Sequence, residues 1–138
     1  METTGIIKKV DEPSDWVHQL VVVMKKNGSL RICLDPRNLN KAIKRPHHPF
    51  PTFDEISALL SGAKFFCKLD AQSGFWMLRL DEPSSKLCTF QTAWGRYSFL
   101  RLPFGLNSSS EIFHSIIART FQGISNVCSF QDDILVWG

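Results

Sequence analysis

No apolar run in the 138 residues approaches the ~18 needed to span a bilayer, so no membrane partner is expected. There are four cysteines, Cys33, Cys67, Cys88 and Cys128, and none forms a C-x-x-C. Each sits in an apolar or strand-like context. They read as small buried hydrophobes in a reducing compartment, not as a disulfide framework. His18, His47, His48 and His114 lack the spacing of a zinc site. Internal repeats and low-complexity tracts are absent. The opening Met1-Glu2-Thr3-Thr4-Gly5 has neither the basic nor the apolar segment of a signal peptide.

What remains is an ordinary globular composition, 43% hydrophobic and 21% charged, in a length that suits one domain with a real core. Charge is uneven. Residues 1–50 hold nine bases against five acids, and the rest seven bases against eight acids. A basic half beside an acidic turn suits a polyanion held next to a metal site, although a solvated surface would look the same on charge alone.

Two adjacent carboxylates, Asp132 and Asp133, stand between apolar runs ending at Phe130 and beginning at Ile134. Charges that close repel by about 4 kcal/mol at ~4 Å and an effective dielectric near 20. The turn must face water or hold a cation.

The element pattern predicts a β-hairpin at 19–34, since Asn27-Gly28 separates the apolar run Gln19–Met24 from Leu30–Leu34. Lys25 and Lys26 fall at its tip and Arg31 on the returning strand. Residues 35–45 read as a turn or short helix, with Asp35 and Arg37 as a structural ion pair or turn. Pro46, Pro49 and Pro51 hold the chain extended. Thr52 and Glu55 form a capping box for a helix to about Leu60. Lys64–Asp70 alternates as a strand with Asp70 on its mixed face, and Trp76–Leu80 reads as another. Leu87–Gln91 and Tyr97–Leu102 read as a pair. Ser108 and Glu111 form a second capping box before a helix carrying Ile112, Phe113, Ile116 and Ile117. Residues 126–137 close as a hairpin around the two aspartates. The order predicts an α+β fold, an antiparallel sheet with helices packed on one face.

If Asp70 and the Asp132-Asp133 turn converge, three carboxylates would suit hard divalent cations. Asp is also a common turn residue, so spacing alone does not decide.

Four segments in order resemble the reverse transcriptase domain of retroviruses and, more closely, of gypsy-type long-terminal-repeat retrotransposons. They are Val23–Lys41, Lys68-Leu69-Asp70-Ala71-Gln72-Ser73-Gly74-Phe75-Trp76, Phe99-Leu100-Arg101-Leu102-Pro103-Phe104-Gly105-Leu106, and Phe130-Gln131-Asp132-Asp133-Ile134-Leu135. The resemblance implies a right-hand polymerase fold over 1–138, fingers-like at 1–45 and 79–103 and palm-like at 46–78 and 104–138, with the thumb missing. It implies an RNA-directed DNA polymerase of a Pol polyprotein, performing two-metal nucleotidyl transfer to a primer 3′-OH. Asp70, Asp132 and Asp133 would be the catalytic, metal-binding carboxylates for two Mg²⁺ or Mn²⁺ ions, with the Ala71 carbonyl as a further ligand. Lys25 or Lys26, with Arg31, would hold the triphosphate of a deoxynucleotide. Phe75 would exclude a ribose 2′-OH, and Phe104 and Gly105 would floor the nucleotide pocket, Gly105 letting backbone approach the substrate.

The partners implied are an RNA or DNA template with primer and the rest of Pol: thumb, ribonuclease H and integrase. The location implied is intracellular, in cytoplasmic virus-like particles, with the nucleus as a second compartment. Phe130 stands where Tyr is frequent, and Gln131 is an unusual middle residue. The chain stops five residues after Asp133, and Met1-Glu2 resembles an internal stretch of a polyprotein. A fragment of this kind is expected to extend primers poorly alone. The competing reading is a non-polymerising remnant that binds nucleic acid through its basic hairpin. A third is another two-metal phosphoryl-transfer domain.

Overall fold

A computed structural model describes residues 1–130 and 132–138 of the protein, so the reading of Gln131 lies outside the described residues. In chain order the described elements are β1 (Ile7–Val10), β2 (Gln19–Met24), β3 (Leu30–Asp35), α1 (Arg37–Ala42), α2 (Phe53–Leu59), β4 (Phe66–Asp70), a 3₁₀ turn (Gly74–Met77), α3 (Glu82–Leu87), β5 (Thr89–Thr92), β6 (Gly95–Phe99), α4 (Ser109–Thr120), β7 (Val127–Phe130) and β8 (Asp133–Trp137). They fall into two compact units. The first is Met1–Lys44 with Phe75–Ser109; the second is Arg45–Gly74 with Ser110–Gly138. The fold is α+β with every sheet antiparallel, as expected, but the strands are shared among three sheets.

In the first unit β1, β6 and β5 pair in the order β1-β6-β5, and β2 and β3 form the hairpin. Its tip closes where Asn-Gly predicts. The Lys25 N–H donates to the Ser29 carbonyl at 2.8 Å, and the Gly28 N–H to the Lys25 carbonyl at 2.9 Å. Asp35 and Arg37 do form an ion pair, at 3.1 Å. Leu34, Cys88, Phe90 and Phe99 make the buried cluster, with the Phe90 and Phe99 rings 5.0 Å apart. Each ring contributes about 2–3 kcal/mol by leaving water. Burial also pushes the Cys88 thiol up to about 12, so it packs as an inert hydrophobe. Cys67 departs from that expectation: it is exposed on β4.

In the second unit the strand order is β4-β8-β7. The capping box is formed, with Thr52 Oγ1 accepting from the Glu55 N–H and the Glu55 carboxylate accepting from the Thr52 N–H. Such a cap contributes about 1 kcal/mol. The buried face of α4 differs from the apolar stripe read in the sequence: Glu111, Phe113 and His114 are buried, and Ile116 is exposed. The polar pair is inside because residues 45–48 supply its partners. Arg45 donates to Glu111 Oε1, and His48 Nε2 lies 2.8 Å from His114 Nδ1.

Two expectations need correction. Trp76–Leu80 is not a strand; its first two residues belong to the 3₁₀ turn. Phe75 and Trp76 both pack on Phe104, with ring centroids at 4.7 and 6.0 Å, and neighbouring strand residues would point to opposite faces. Conversely, α3 falls where no helix was read. Asp81 caps it by accepting from the Ser84 N–H at 2.9 Å, and Pro83 sits in its first turn.

Candidate active site

Asp70 closes β4 and Asp133 opens β8, and the two are directly opposite in the ladder. Strand alternation then places Phe66, Lys68 and Asp70 on one face with Asp133, Leu135 and Trp137. Asp132 occupies the turn. Its carbonyl accepts from the Ala71 N–H at 3.4 Å, tying the residue after Asp70 to the residue before Asp133. The Ala71 carbonyl, expected as a metal ligand, accepts from the Gly74 N–H at 3.1 Å and keeps its second lone pair.

Two carboxylates directly opposite on one face destabilise a sheet unless a cation lies near. Lys68 supplies one here: its Nζ is 2.8 Å from Asp133 Oδ2. The hydrogen bond to Asp133 and that carboxylate's charge, with Asp70 adding to it, raise the Lys68 ammonium above the ordinary lysine range. Among the described residues no three His, Cys, Asp or Glu side chains stand close enough to form a ready metal cluster. The donor chemistry nevertheless fits a hard divalent ion. Asp70, Asp132, Asp133 and the Ala71 carbonyl offer only oxygen, and they lie at one end of one sheet.

The remaining candidates belong to the first unit. Phe75 is 8% exposed and packs on Phe104, and the Arg31 guanidinium carbon lies 5.0 Å from the centre of the Phe104 ring. Arg31, Phe75 and Phe104 therefore form one cluster, whereas Lys25 and Lys26 are exposed at the hairpin tip. Gly105 has φ +110°, and a Cβ there would stand 1.9 Å from the Leu34 carbonyl oxygen. Glycine at 105 is thus required by the fold itself, whatever it also does for a substrate. The backbone that approaches it is β3, pinned by the Leu34 N–H on the Phe104 carbonyl at 2.8 Å.

Two features escaped the sequence. Lys68 is one; its only signal is its parity with Asp70. The other is the histidine pair. His114 Nε2 faces the Ser129 carbonyl at 3.1 Å, and since a carbonyl only accepts, that nitrogen carries the proton. His114 Nδ1 shares a hydrogen bond with His48 Nε2, at 2.8 Å. The chain His48–His114–Ser129 ties residues 46–51 to β7, the strand that leads into the aspartate turn. No spacing rule relates His48 to His114.

Comparison with known proteins places the chain in a family. Residues 23–138 match the family described as reverse transcriptase (RNA-dependent DNA polymerase). The chain is 36% identical to the Retrovirus-related Pol polyprotein from transposon 412 of Drosophila melanogaster, over 94% of this chain and 11% of that protein. It is 32% identical to the Enzymatic polyprotein of Cauliflower mosaic virus (strain Strasbourg), over 94% of this chain and 20% of that protein. The chain thus spans between a tenth and a fifth of these relatives' lengths.

Among solved structures, the foamy viral protease-reverse transcriptase in complex with double-stranded DNA matches at TM-score 0.86 and 23% identity, over 97% of this chain and 23% of that one. A crystal structure of the Prototype Foamy Virus Protease-Reverse Transcriptase matches at TM-score 0.80 and 28% identity, over 96% and 18%. With a family match across all four segments and the same fold in the foamy viral enzyme, the chain belongs to the reverse transcriptase (RNA-dependent DNA polymerase) family.

Proposed function

We propose that this chain carries the metal-binding carboxylates and part of the nucleotide pocket of an RNA-directed DNA polymerase, with 1–45 and 79–103 as fingers and 46–78 and 104–138 as palm. The observation that supports it most is the pairing of Asp70 directly opposite Asp133, beside the turn that holds Asp132, in a chain of this family. The substrates proposed are a primer on an RNA or DNA template and deoxynucleoside triphosphates. The foamy viral neighbour is described with double-stranded DNA, a ligand of the same class.

Asp70, Asp132 and Asp133, with the Ala71 carbonyl, would hold two Mg²⁺ or Mn²⁺ ions. Bound there, such ions activate the attacking hydroxyl and neutralise charge on the leaving phosphate oxygens. The side chains do the positioning. Arg31 offers a fork of donors to phosphate while its guanidinium stacks on Phe104, and Lys25 or Lys26 offers a mobile point charge. Phe75, braced by Phe104, would be the ring that excludes a ribose 2′-OH.

The test is a chimera in which these 138 residues replace their counterpart in a retrovirus-related Pol polyprotein. With Mg²⁺ it extends a DNA primer on an RNA template, and chelation stops it. A folded chimera that never extends a primer would sink the reading. In the same chimera, Phe75→Val lowers discrimination against ribonucleotides by at least about tenfold, equivalent to ~1.4 kcal/mol. It also costs stability, because the ring is buried. Unchanged sugar selectivity would remove Phe75 as the gate.

A further inference from the structure

We propose that Lys68 is a resident counter-cation of the carboxylate end, holding Asp133 while no divalent ion is bound and leaving when one arrives, so that it sets the affinity of the aspartates for metal. This rests on the reading of Asp70, Asp132 and Asp133 as metal ligands.

Three observations carry it. Strand alternation puts Lys68 on the same face as Asp70, two residues along β4, and diagonally across from Asp133 on β8. The ammonium is already on its partner, at 2.8 Å from Asp133 Oδ2. Finally, the lysine side chain is 66% exposed. It can therefore swing into water with little desolvation or packing cost, which a buried partner could not do. An ammonium on a four-carbon stem is also a point charge that fits no single geometry, so it neutralises the carboxylates without fixing them. Apart from Asp70 and Asp133, the strand positions that share its face are Phe66, Cys128, Phe130, Leu135 and Trp137. None of these offers a second cation.

A lysine that competes with metal makes a directional prediction that an ordinary surface lysine does not. Taking its charge away must tighten metal binding, although it removes a favourable ion pair. The expected gain is about two- to five-fold in Kd, the range of an exposed pair, and it shrinks as salt is raised. Replacing the charge with its opposite must tighten binding further, and arginine must preserve the original affinity.

The experiment titrates the 138-residue chain with Mn²⁺ alone at low salt, reading free Mn²⁺ by its paramagnetic resonance signal. Thermal melts of every variant in chelator check that each is folded. The series is Lys68→Arg, Lys68→Met and Lys68→Glu, each repeated with Asp133→Asn and with Asp70→Asn. The expected order of Kd is wild type equal to Arg, then Met, then Glu as the tightest. The Met effect should shrink in the Asp133→Asn background, where Lys68 has lost its hydrogen-bonded partner and keeps only Asp70 beside it.

Kd values that do not move with the charge at 68, or that weaken in Lys68→Met, overturn the proposal while leaving the carboxylates as metal ligands. Mn²⁺ binding that neither Asp70→Asn nor Asp133→Asn reduces overturns the metal reading of the aspartates, and Lys68's role with it. The two failures are distinguished by which substitutions the affinity follows.

Discussion

Asp133→Asn lowers primer extension by the chimeric polymerase at least about a thousandfold, equivalent to ~4 kcal/mol of barrier. Asparagine keeps the shape of the side chain and the ladder position opposite Asp70, so the start of β8 is undisturbed. What it removes is the charge that a divalent ion needs from a hard oxygen donor. Stability should hardly change. The lost contact is an exposed ion pair with Lys68, which solvent screens, and losing it also relieves the repulsion between opposite carboxylates. Asp132→Asn should behave alike. Glu82→Gln, on an exposed pair with Lys86, is the control and should leave extension near wild type. Steady-state extension with a melting curve for each variant checks the prediction. A folded Asp133→Asn enzyme that kept a tenth of wild-type activity would end the assignment.

The second large effect is structural. Gly105→Ala should cost more than about 4 kcal/mol, a large part of the 5–15 kcal/mol that holds a typical domain together. The added Cβ would lie 1.9 Å from the Leu34 carbonyl oxygen and 2.9 Å from its carbon, and both are backbone atoms with no rotamer to yield. Relief requires β3 to leave the Phe104 carbonyl and to pull Leu34, 2% exposed, out of the core. The left-handed φ of +110° adds its own penalty. Gly28→Ala is the matched comparison. It too has a positive φ, at +80°, but nothing lies within 4 Å of a Cβ there, so the expected cost is about 1 kcal/mol. Urea denaturation of both variants separates them. Equal midpoints would show that β3 can move aside.

What was legible in the sequence was whatever depends on neighbours along the chain. Asn27-Gly28 turns the hairpin through bonds among Lys25, Asn27, Gly28 and Ser29 alone. The Thr52 cap needs only Glu55. Alternation along β4 placed Asp70 on its mixed face, and that placement held. The errors came where a distant residue decides. Residues 74–77 coil because Phe75 and Trp76 both seek Phe104. Glu111 and His114 turn inward because Arg45 and His48 are waiting. Lys68 looks like any solubilising lysine until β8 brings Asp133 beside it. The fold's own need for Gly105 stays hidden until Leu34 is found against it. The α3 miss is different, since the Asp81 cap and Pro83 are local signals in a stretch that the pattern of apolar residues left unassigned.

Strand β1 pairs with β6, Ile7 opposite Phe99 and Val10 opposite Arg96. On a ribosome adding about 5–20 residues per second, β1 emerges several seconds before β6, its ladder partner, has been made. Through that interval β1 has no strand to pair with among the described residues, although the β2–β3 hairpin can already close on itself. Translation speed between β1 and β6 should therefore govern how much of this protein is folded and how much is lost to aggregates, with the late-made β6 as the step that rescues the early strand.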